Sequence, residues 1–338
     1  MKRKRAIIPI FISHLGCPND CVFCNQKKIS GTESYILPEQ MRDIIEMHLE
    51  TMDAEQVEIA FFGGSFTGIE IERQKAYLQV ASEYVRSGVV ESIRLSTRPD
   101  YIDDDILDNL REHHVKTIEL GVQSFSEEVL KNAKRGHDVH AVYKAAKRIK
   151  DCGFDLGIQL MYGLPGDDFE KFFFSVRESI RLRADCVRLY PVLVIKSTEL
   201  NELYRELKYV PSTLEETVEG LAKALKLYHQ AGIPVIRIGL QRTDMIDLGR
   251  EVVAGPFHPA IRELVYDDLF YEAIMRNWST QESEDIWVNP KQVSHLLGHK
   301  KRNLEKNSNL RKLILKQSGD IEMDTLRIGS EDVISIFE

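Results

Sequence analysis

The sequence predicts an α/β protein built from parallel βα units. Short apolar runs rich in β-branched residues alternate along the chain with longer stretches of helical periodicity. The first run, Ala6–Ile12, is almost continuously apolar, as expected of a strand whose two faces are both covered by helices. Six such units are recognisable, fewer than the eight that close a TIM barrel.

The strands and helices of these units are predicted from their apolar periodicity. The predicted strands are Ala6–Ile12, Val57–Phe62, Ser92–Ser96, Thr117–Val122, Asp155–Met161 and Cys186–Tyr190. The predicted helices between them are Met41–Met52, Ile71–Arg86, Asp103–His113, Val139–Asp151 and Phe169–Leu182.

A further helix is predicted after the sixth strand. Ser212 and Glu215 match a capping box, and Gly232 is well placed to end a helix that reaches about Ala231. Another apolar run, Pro234–Leu240, follows this helix. Residues 241–288 show no clear pattern.

Composition restricts the class of protein. The 338 residues are 43% hydrophobic and 29% charged, as in ordinary globular proteins, and no apolar run approaches the length of a membrane span. The basic start and the apolar run after it resemble a signal peptide, but no small-residue cleavage site follows. Three of the five cysteines are clustered, which fits a reducing compartment better than a disulfide framework. We therefore expect a cytoplasmic protein without membrane contact.

The cysteines Cys17, Cys21 and Cys24 have the spacing C-x3-C-x2-C and directly follow the first strand. Thiolates this close together select zinc, copper(I) or iron–sulfur clusters. A structural zinc needs a fourth ligand at short spacing, and neither His14 nor the two remaining cysteines complete a zinc motif. Ordinary electron-transfer clusters use four cysteines, so three favour a cluster with one iron open to a substrate. Three structural thiols on a loop remain the alternative.

This motif, with Phe23 before its last cysteine, resembles the signature of the radical S-adenosylmethionine (SAM) superfamily. The resemblance implies a [4Fe–4S] cluster held by three thiolates, with SAM on the fourth iron. Cleavage of SAM to a 5′-deoxyadenosyl radical then requires a low-potential electron donor such as a flavodoxin or a ferredoxin. The resemblance also implies a partial (β/α)6 TIM barrel of the radical SAM type, here followed by a small α+β C-terminal extension.

Residues at the carboxyl ends of the strands are candidates for SAM binding, because sites in parallel barrels lie there. Gly63 and Gly64 resemble the family's contact to the SAM amino group. Gln123 and Arg135 match the residues that contact the ribose and the carboxylate in oxygen-independent coproporphyrinogen oxidases. The alternative for Gly63 and Gly64 is an ordinary tight turn, and the alternative for Arg135 is a solvated side chain. Tyr162 has a position in the core as its alternative. The predicted cofactor-binding residues are Phe23, Gly63, Gly64, Ser65, Ser96, Arg98, Gln123, Arg135, Gln159 and Tyr162.

Longer segments resemble the Elongator catalytic subunit. They are Thr97–Tyr101, Glu119–Ser124, Arg135–Val142, Arg188–Thr198 and Gln241–Asp244. In that subunit a lysine and a tyrosine on the sixth strand lie in the active site, and they match Arg188 and Tyr190. The resemblance implies an enzyme that acts on tRNA or other RNA. About 95 residues follow Asp244, without the acetyltransferase's phosphate-binding loop, so we expect no complete acetyl-CoA-dependent reaction by this chain alone.

The end of the chain is basic although the net charge is −8. Eight lysines and arginines lie between Lys291 and Lys316, against the single acid Glu305. The turn from Gly298 to Lys301, between predicted helices, resembles the G-x-x-G loop of a KH module, which implies tRNA as a partner. A charged, solvated appendage is the alternative. The predicted division is a core over 1–245, a linking or capping region over 246–288 and a basic module over 289–338.

Three functions remain open from the sequence. The first is a radical SAM enzyme that acts on RNA. The second is a radical SAM enzyme that acts on a small molecule such as a porphyrinogen. The third is a non-catalytic RNA-binding protein that a metal centre stabilises.

Overall fold

The computed structural model describes residues 5–12, 17, 21–25, 36–240, 247–278, 282–330 and 332–338. The strands are β1 Arg5–Phe11, β2 Gln56–Phe62, β3 Ser92–Thr97, β4 Val115–Gln123, β5 Asp155–Tyr162, β6 Cys186–Pro191, β7 Val194–Ile195, β8 Val235–Ile238, β9 Val252–Ala254, β10 Asp285–Val288, β11 Ile314–Gln317, β12 Thr325–Ile328 and β13 Ile334–Ser335. The helices are α1 Pro38–Thr51, α2 Ile71–Arg86, α3 Asp104–Glu112, α4 Glu127–Asn132, α5 Val139–Asp151, α6 Phe169–Arg181, α7 Glu199–Arg205, α8 Leu214–Gln230, α9 Ile261–Asn277, α10 Val293–Leu297 and α11 Arg302–Lys306.

A curled half-barrel of seven parallel strands forms the core, in the order β1-β2-β3-β4-β5-β6-β8. The predicted α/β partial barrel is therefore confirmed, with one strand more than the six expected. The additional strand is β8, which lies inside the apolar run Pro234–Leu240 and pairs in parallel with β6. It is only four residues long and is mostly half-buried, so its sequence lacks the signal of a fully covered strand.

Helix α8, which corresponds to the helix predicted after the sixth strand, begins one residue later than the sequence predicted. Thr213 is its N-cap, and Thr213 and Glu216 form the capping box in place of Ser212 and Glu215. The amide of Glu216 donates to Oγ1 of Thr213, and the amide of Thr213 donates to Oε2 of Glu216 at 2.8 Å. Both residue pairs satisfy the same motif, so the sequence alone does not distinguish the two registers.

The C-terminal extension is a small four-stranded sheet with two short helices. Its strand order is β11-β10-β12-β13, with β10 and β11 parallel and the other pairs antiparallel. Its first strand, β10, lies before residue 289, within the region that showed no clear pattern. One continuous apolar core joins this sheet to the barrel, since Ile286 and Leu326 belong to the same buried cluster as Leu225.

Helix α9 connects the two parts. Buried residues along it, including Leu264, Leu269 and Phe270, belong to the shared core, and the helix packs against both α8 and α10. Among the helices that the structure describes, none combines the length and the apolarity that crossing a membrane requires.

Candidate active site

A cavity of about 390 Å³ lies at the carboxyl ends of the barrel strands. This volume is typical of sites that bind small molecules. The predicted site residues that line it are Cys17, Cys21, Phe23, Cys24, Gly63, Gly64, Ser65, Ser96, Arg98, Gln123, Arg135, Gln159, Arg188 and Tyr190. Residues separated by more than 150 positions in sequence therefore meet at one site.

Tyr162 is the exception among the predicted residues. It lies on the side of β5 that faces the helices, where its ring packs edge-on against Phe172 with centroids 4.8 Å apart. A Cβ atom at Gly220 on α8 would lie 3.3 Å from the same ring. The prediction that Tyr162 contacts the cofactor is therefore not supported by its position, because alternate residues of a strand face opposite sides of the sheet.

The cysteine segment is anchored to two parts of the barrel. The amide of Val22 donates to the carbonyl of Ala133, just after α4, and the amide of Leu200 in α7 donates to the carbonyl of Val22 at 2.7 Å. The amide of Cys24 donates to the carbonyl of Cys21, which closes a tight turn between two of the thiols. These bonds hold Cys21 buried and Cys24 half-buried at the cavity wall.

Two arginines face the thiols. Nη1 of Arg135 donates to Sγ of Cys21 at 3.1 Å, and its Nη2 donates to the carbonyl of Gly121 at 2.6 Å. Burial lowers the pKa of Arg98, but Asp100 and the thiols of Cys17 and Cys21 outweigh it, so its pKa is raised. Thiolates are the ligands of iron–sulfur clusters, and the two guanidinium groups lie beside the thiols. The three thiols at one cavity therefore fit a cluster held by three cysteines.

Among the described residues, no group of three His, Cys, Asp or Glu side chains, the three cysteines included, lies close enough to hold a single metal ion. A [4Fe–4S] cluster is bound through thiolates on separate irons, so the three cysteines need not converge on one atom. The prediction that Arg135 takes the SAM carboxylate stays a prediction, since its observed bonds go to Cys21 and Gly121.

Gln123 owes its direction to an irregular end of β4. Its φ is +71°, in the left-handed region that few non-glycine residues adopt, and the register between β4 and β5 shifts just before it. This irregularity turns the side chain into the cavity, where its Oε1 accepts a bond from Nε2 of Gln159 at 3.1 Å. Backbone strain of this kind clusters at functional sites. The two amides thus present a shared polar edge to a bound molecule.

A buried ion-pair network forms the floor of the cavity, and the sequence analysis missed its centre, Glu119. Oε1 of Glu119 lies 2.7 Å from Nη1 of Arg94, and its Oε2 lies 2.5 Å from Nε of Arg188. Arg94 also pairs with Glu58 at 2.8 Å. The positive charges of two arginines therefore balance the negative charges of two glutamates within the barrel. The sequence feature that could have indicated this network is the presence of charged residues inside otherwise apolar strands.

A glycine on the neighbouring strand makes room for this network. A Cβ atom at position 157 would lie 2.6 Å from Cγ of Glu119, closer than two such carbons approach unless Glu119 shifts. Gly157 therefore permits the buried carboxylate to lie flat against β5.

Arg188 and Tyr190 lie together on β6. The guanidinium of Arg188 lies 4.7 Å from the centre of the Phe62 ring, and its Nη1 donates to the hydroxyl of Tyr190 at 3.4 Å. Burial lowers the pKa of Arg188, but the charge of Glu119 outweighs it, so the net shift is upward. Arg188 is therefore a fixed cation with its direction set by Glu119 and Phe62.

His137 is a second residue that the sequence analysis did not select. Its side chain is fully buried, with Nδ1 3.9 Å from Oδ1 of Asp100. Burial and the charges of Arg135 and Arg98 lower its pKa to about 4. It is therefore neutral near pH 7 and adds no further charge beside the two arginines. Asp100 is also held by Arg98, through two bonds of 2.8 and 2.9 Å.

Comparison with known proteins identifies the family. The model of the radical SAM superfamily matches residues 11–176, and the model of the Radical_SAM C-terminal domain matches residues 184–270. An uncharacterised protein of Methanocaldococcus jannaschii is 30% identical over 231 residues, which are 64% of this chain and 69% of that protein. The chain belongs to the radical SAM superfamily.

Relatives whose names state an activity are longer than this radical SAM protein. A tRNA uridine(34) acetyltransferase of Methanocaldococcus infernus is 29% identical over 260 residues, covering 65% of this chain and 49% of that protein. The chain thus spans about half the length of such relatives. Elongator complex protein 3 of Schizosaccharomyces pombe is 36% identical over 138 residues, which are 40% of this chain and 25% of that protein.

A solved structure supports the fold. The archaeal Methanocaldococcus infernus Elp3 superposes with a TM-score of 0.63 at 24% identity, over 80% of this chain and 64% of that chain. Superfamily membership also confirms the predicted cofactors, a [4Fe–4S] cluster and SAM. The Elongator-like segment Gln241–Asp244 lies outside the described residues.

Proposed function

We propose that this radical SAM protein is an enzyme that cleaves SAM reductively and acts on tRNA or other RNA. The observation that carries the proposal is the single cavity shared by the three cysteines, the predicted SAM-binding residues and Arg188 with Tyr190. Superfamily membership supports an enzyme, and the relatives that act on tRNA support the substrate class.

The roles of the residues follow from their positions. Cys17, Cys21 and Cys24 hold the cluster, while Arg98 and Arg135 keep the thiols in a positive environment. When bound, the cluster and SAM supply a 5′-deoxyadenosyl radical that removes a hydrogen atom from the substrate.

The substrate side of the cavity is rigid. Glu119 and Phe62 fix Arg188, which in turn donates to the hydroxyl of Tyr190. Fixed donors cost no reorganisation when a substrate is bound, so they orient it efficiently. Apolar residues around them, among them Phe11 and Leu193, reduce the access of water.

The C-terminal extension supports RNA as the partner. Lys300 and Lys301 are exposed at the turn between two short helices, where the KH-like loop was predicted. Exposed cations of this kind bind phosphate backbones with little dependence on sequence. A flavodoxin or a ferredoxin is the proposed electron donor.

The decisive experiment is anaerobic. The purified protein is reconstituted with iron and sulfide, supplied with SAM and dithionite, and assayed for 5′-deoxyadenosine with and without bulk tRNA. Cys24→Ala should abolish the product and the charge-transfer absorbance of the cluster. Cys152→Ala is the matched control, because Cys152 lies outside the cavity and should leave both unchanged.

Each outcome distinguishes one of the candidate functions. A yield that rises with tRNA supports the proposal. A yield indifferent to tRNA retains the enzyme and directs the search to small molecules such as a porphyrinogen. A colourless protein that holds stoichiometric zinc and makes no product would favour the non-catalytic RNA-binding protein.

A further inference from the structure

Arg237 is an arginine of the cavity wall that lies outside the ion-pair network of Glu119. Arg237 lies on β8, directly opposite Arg188 on β6 in the parallel register. Opposed residues of neighbouring strands point to the same face of a sheet, and both arginines line the cavity. The sequence analysis did not select Arg237.

Arg237 differs from the other arginines of the cavity in its contacts. Arg188 is paired with Glu119, Arg98 with Asp100, and Arg135 donates to Cys21. Arg237 instead donates from Nε to the carbonyl of Gly239 at 3.0 Å, and within the described residues no carboxylate pairs with it. Its two terminal nitrogens therefore remain available to a ligand.

The electrostatic surroundings of Arg237 are unfavourable without an anion. Burial lowers its pKa, and the charges of Arg188 and Arg262 lower it further against an opposing effect of Tyr190. A guanidinium nevertheless stays protonated in proteins. A partly buried cation without a counterion is costly unless a ligand supplies the negative charge.

The position of Arg237 favours a substrate over SAM as the source of this anion. The thiols act on Arg98 and Arg135, whereas the groups that act on Arg237 are Arg188, Tyr190 and Arg262. Arg262 is the second residue of α9, the helix that packs against both the barrel helix α8 and α10 of the extension.

Packing holds the start of α9 against the end of β8. A Cβ atom at Gly239, whose φ is +75°, would lie 2.5 Å from Cγ2 of Ile261. Just before α9, His258 packs edge-on against His299 with ring centroids 5.0 Å apart, next to the exposed Lys300. The exposed loop of the extension therefore lies against the segment that leads into α9, which carries Arg262.

We propose that Arg237 binds a backbone phosphate of the RNA substrate, beside the nucleotide that enters the cavity. This inference rests on the proposed function for its substrate class. A guanidinium matches phosphate geometry through two parallel N–H donors, and such contacts position a nucleic acid without reading its sequence.

The test measures binding of fluorescent bulk tRNA to the full chain over a series of salt concentrations. Arg237→Gln should weaken binding about tenfold, as expected for a lost hydrogen-bonded charge contact. It should also reduce the slope of log K against log salt by about 1. Arg237→Lys should restore the slope. Arg181→Gln, an exposed site on α6 with the same change in charge, should alter neither quantity.

Two results would overturn the inference. One is a slope for Arg237→Gln that equals the slope for Arg181→Gln. The other is normal tRNA binding by Arg237→Gln together with lost SAM binding in equilibrium dialysis, which would assign the arginine to the SAM carboxylate.

The same assays separate this inference from the proposed function. tRNA bound through Arg237 without formation of 5′-deoxyadenosine refutes the reaction alone. tRNA-stimulated cleavage of SAM with an unchanged slope for Arg237→Gln refutes the inference alone. A wild-type protein that binds no tRNA refutes the substrate class and, with it, this inference.

Discussion

The barrel and the C-terminal extension both depend on charged side chains, but they hold them differently. In the barrel, Glu119 on β4 is 3% exposed and accepts bonds from Arg94 on the neighbouring strand β3 and from Arg188 on β6, two strands away. In the extension, Lys300 and Lys301 are exposed and lie on a turn with left-handed backbone. Buried, paired charges suit a small ligand in one orientation, whereas exposed charges suit a long, flexible polyanion.

A buried polar junction between α9 and the extension resembles the barrel network. Asp267 on α9 accepts a bond from the amide of His299 at 2.7 Å and lies 2.9 Å from Nδ1 of His295. Asn303 closes the junction by donating to the carbonyls of Asp267 and Leu296. Both regions therefore contain buried charged groups that are held by several bonds. The extension differs because it also carries exposed lysines on its surface turn.

The largest effect is expected from Glu119→Gln. Loss of the carboxylate leaves Arg94 and Arg188 as buried, poorly compensated cations, which should lower the free energy of unfolding by about 3–5 kcal/mol. Urea denaturation measures the change. Glu91→Gln is the matched control, since its exposed pair with Lys116 should contribute less than about 1 kcal/mol. Equal effects of the two variants would contradict a structural role for the barrel network.

A pH-dependent effect is expected at the junction of the extension. Burial lowers the pKa of His295, but Asp267, Glu263 and Asp324 outweigh it, so the folded pKa is raised. A raised pKa means that the protonated ring is stabilised by folding, so this contribution is complete below the unfolded pKa and is lost as the pH rises through the folded value.

Hydrogen exchange in β10–β12 provides the measurement. Protection should decline from pH 6 to pH 8, around and above the ordinary pKa of histidine of about 6.5. The facing Tyr266 and Phe270 rings do not titrate in this range. His295→Gln should abolish this pH-dependent decline in protection. If the His295→Gln variant shows the same pH profile as the wild type, another group causes the effect.

The smallest effect is expected at the exposed turn. Lys301 has a φ of +66°, so Lys301→Gly should relieve an unfavourable conformation and stabilise the protein by up to about 1 kcal/mol. The same change should reduce tRNA affinity a few-fold, because one phosphate contact is lost. Lys291→Gly removes the same charge from a site without positive φ, so it should weaken binding without stabilising the fold. Stabilisation by both variants would show that the turn is not strained.

The sequence predicted the barrel and most of its cavity, because both leave local signals. Six strands were recognised from their apolar runs, and the strand ends placed all predicted site residues except Tyr162 at one cavity. The seventh strand was missed because β8 is short and half-buried. The functional roles of these residues stay predictions.

Residues that act through long-range contacts could not be predicted. Glu119 gains its role from Arg94 and Arg188, which lie 25 and 69 positions away. Arg237 is distinguished only by the absence of an acidic partner among the described residues, which no local pattern indicates. The direction of Gln123 depends on a register shift between two strands.

Gly157 has a consequence for how this sequence can change. As long as a glutamate occupies position 119, a Cβ atom at position 157 would collide with its Cγ atom, so a single substitution at 157 requires Glu119 and its ion pairs to shift. A library that randomises both positions should return non-glycine residues at 157 only together with a shorter residue at 119. Position 157 thus depends on position 119, whereas a change at position 119 does not depend on position 157.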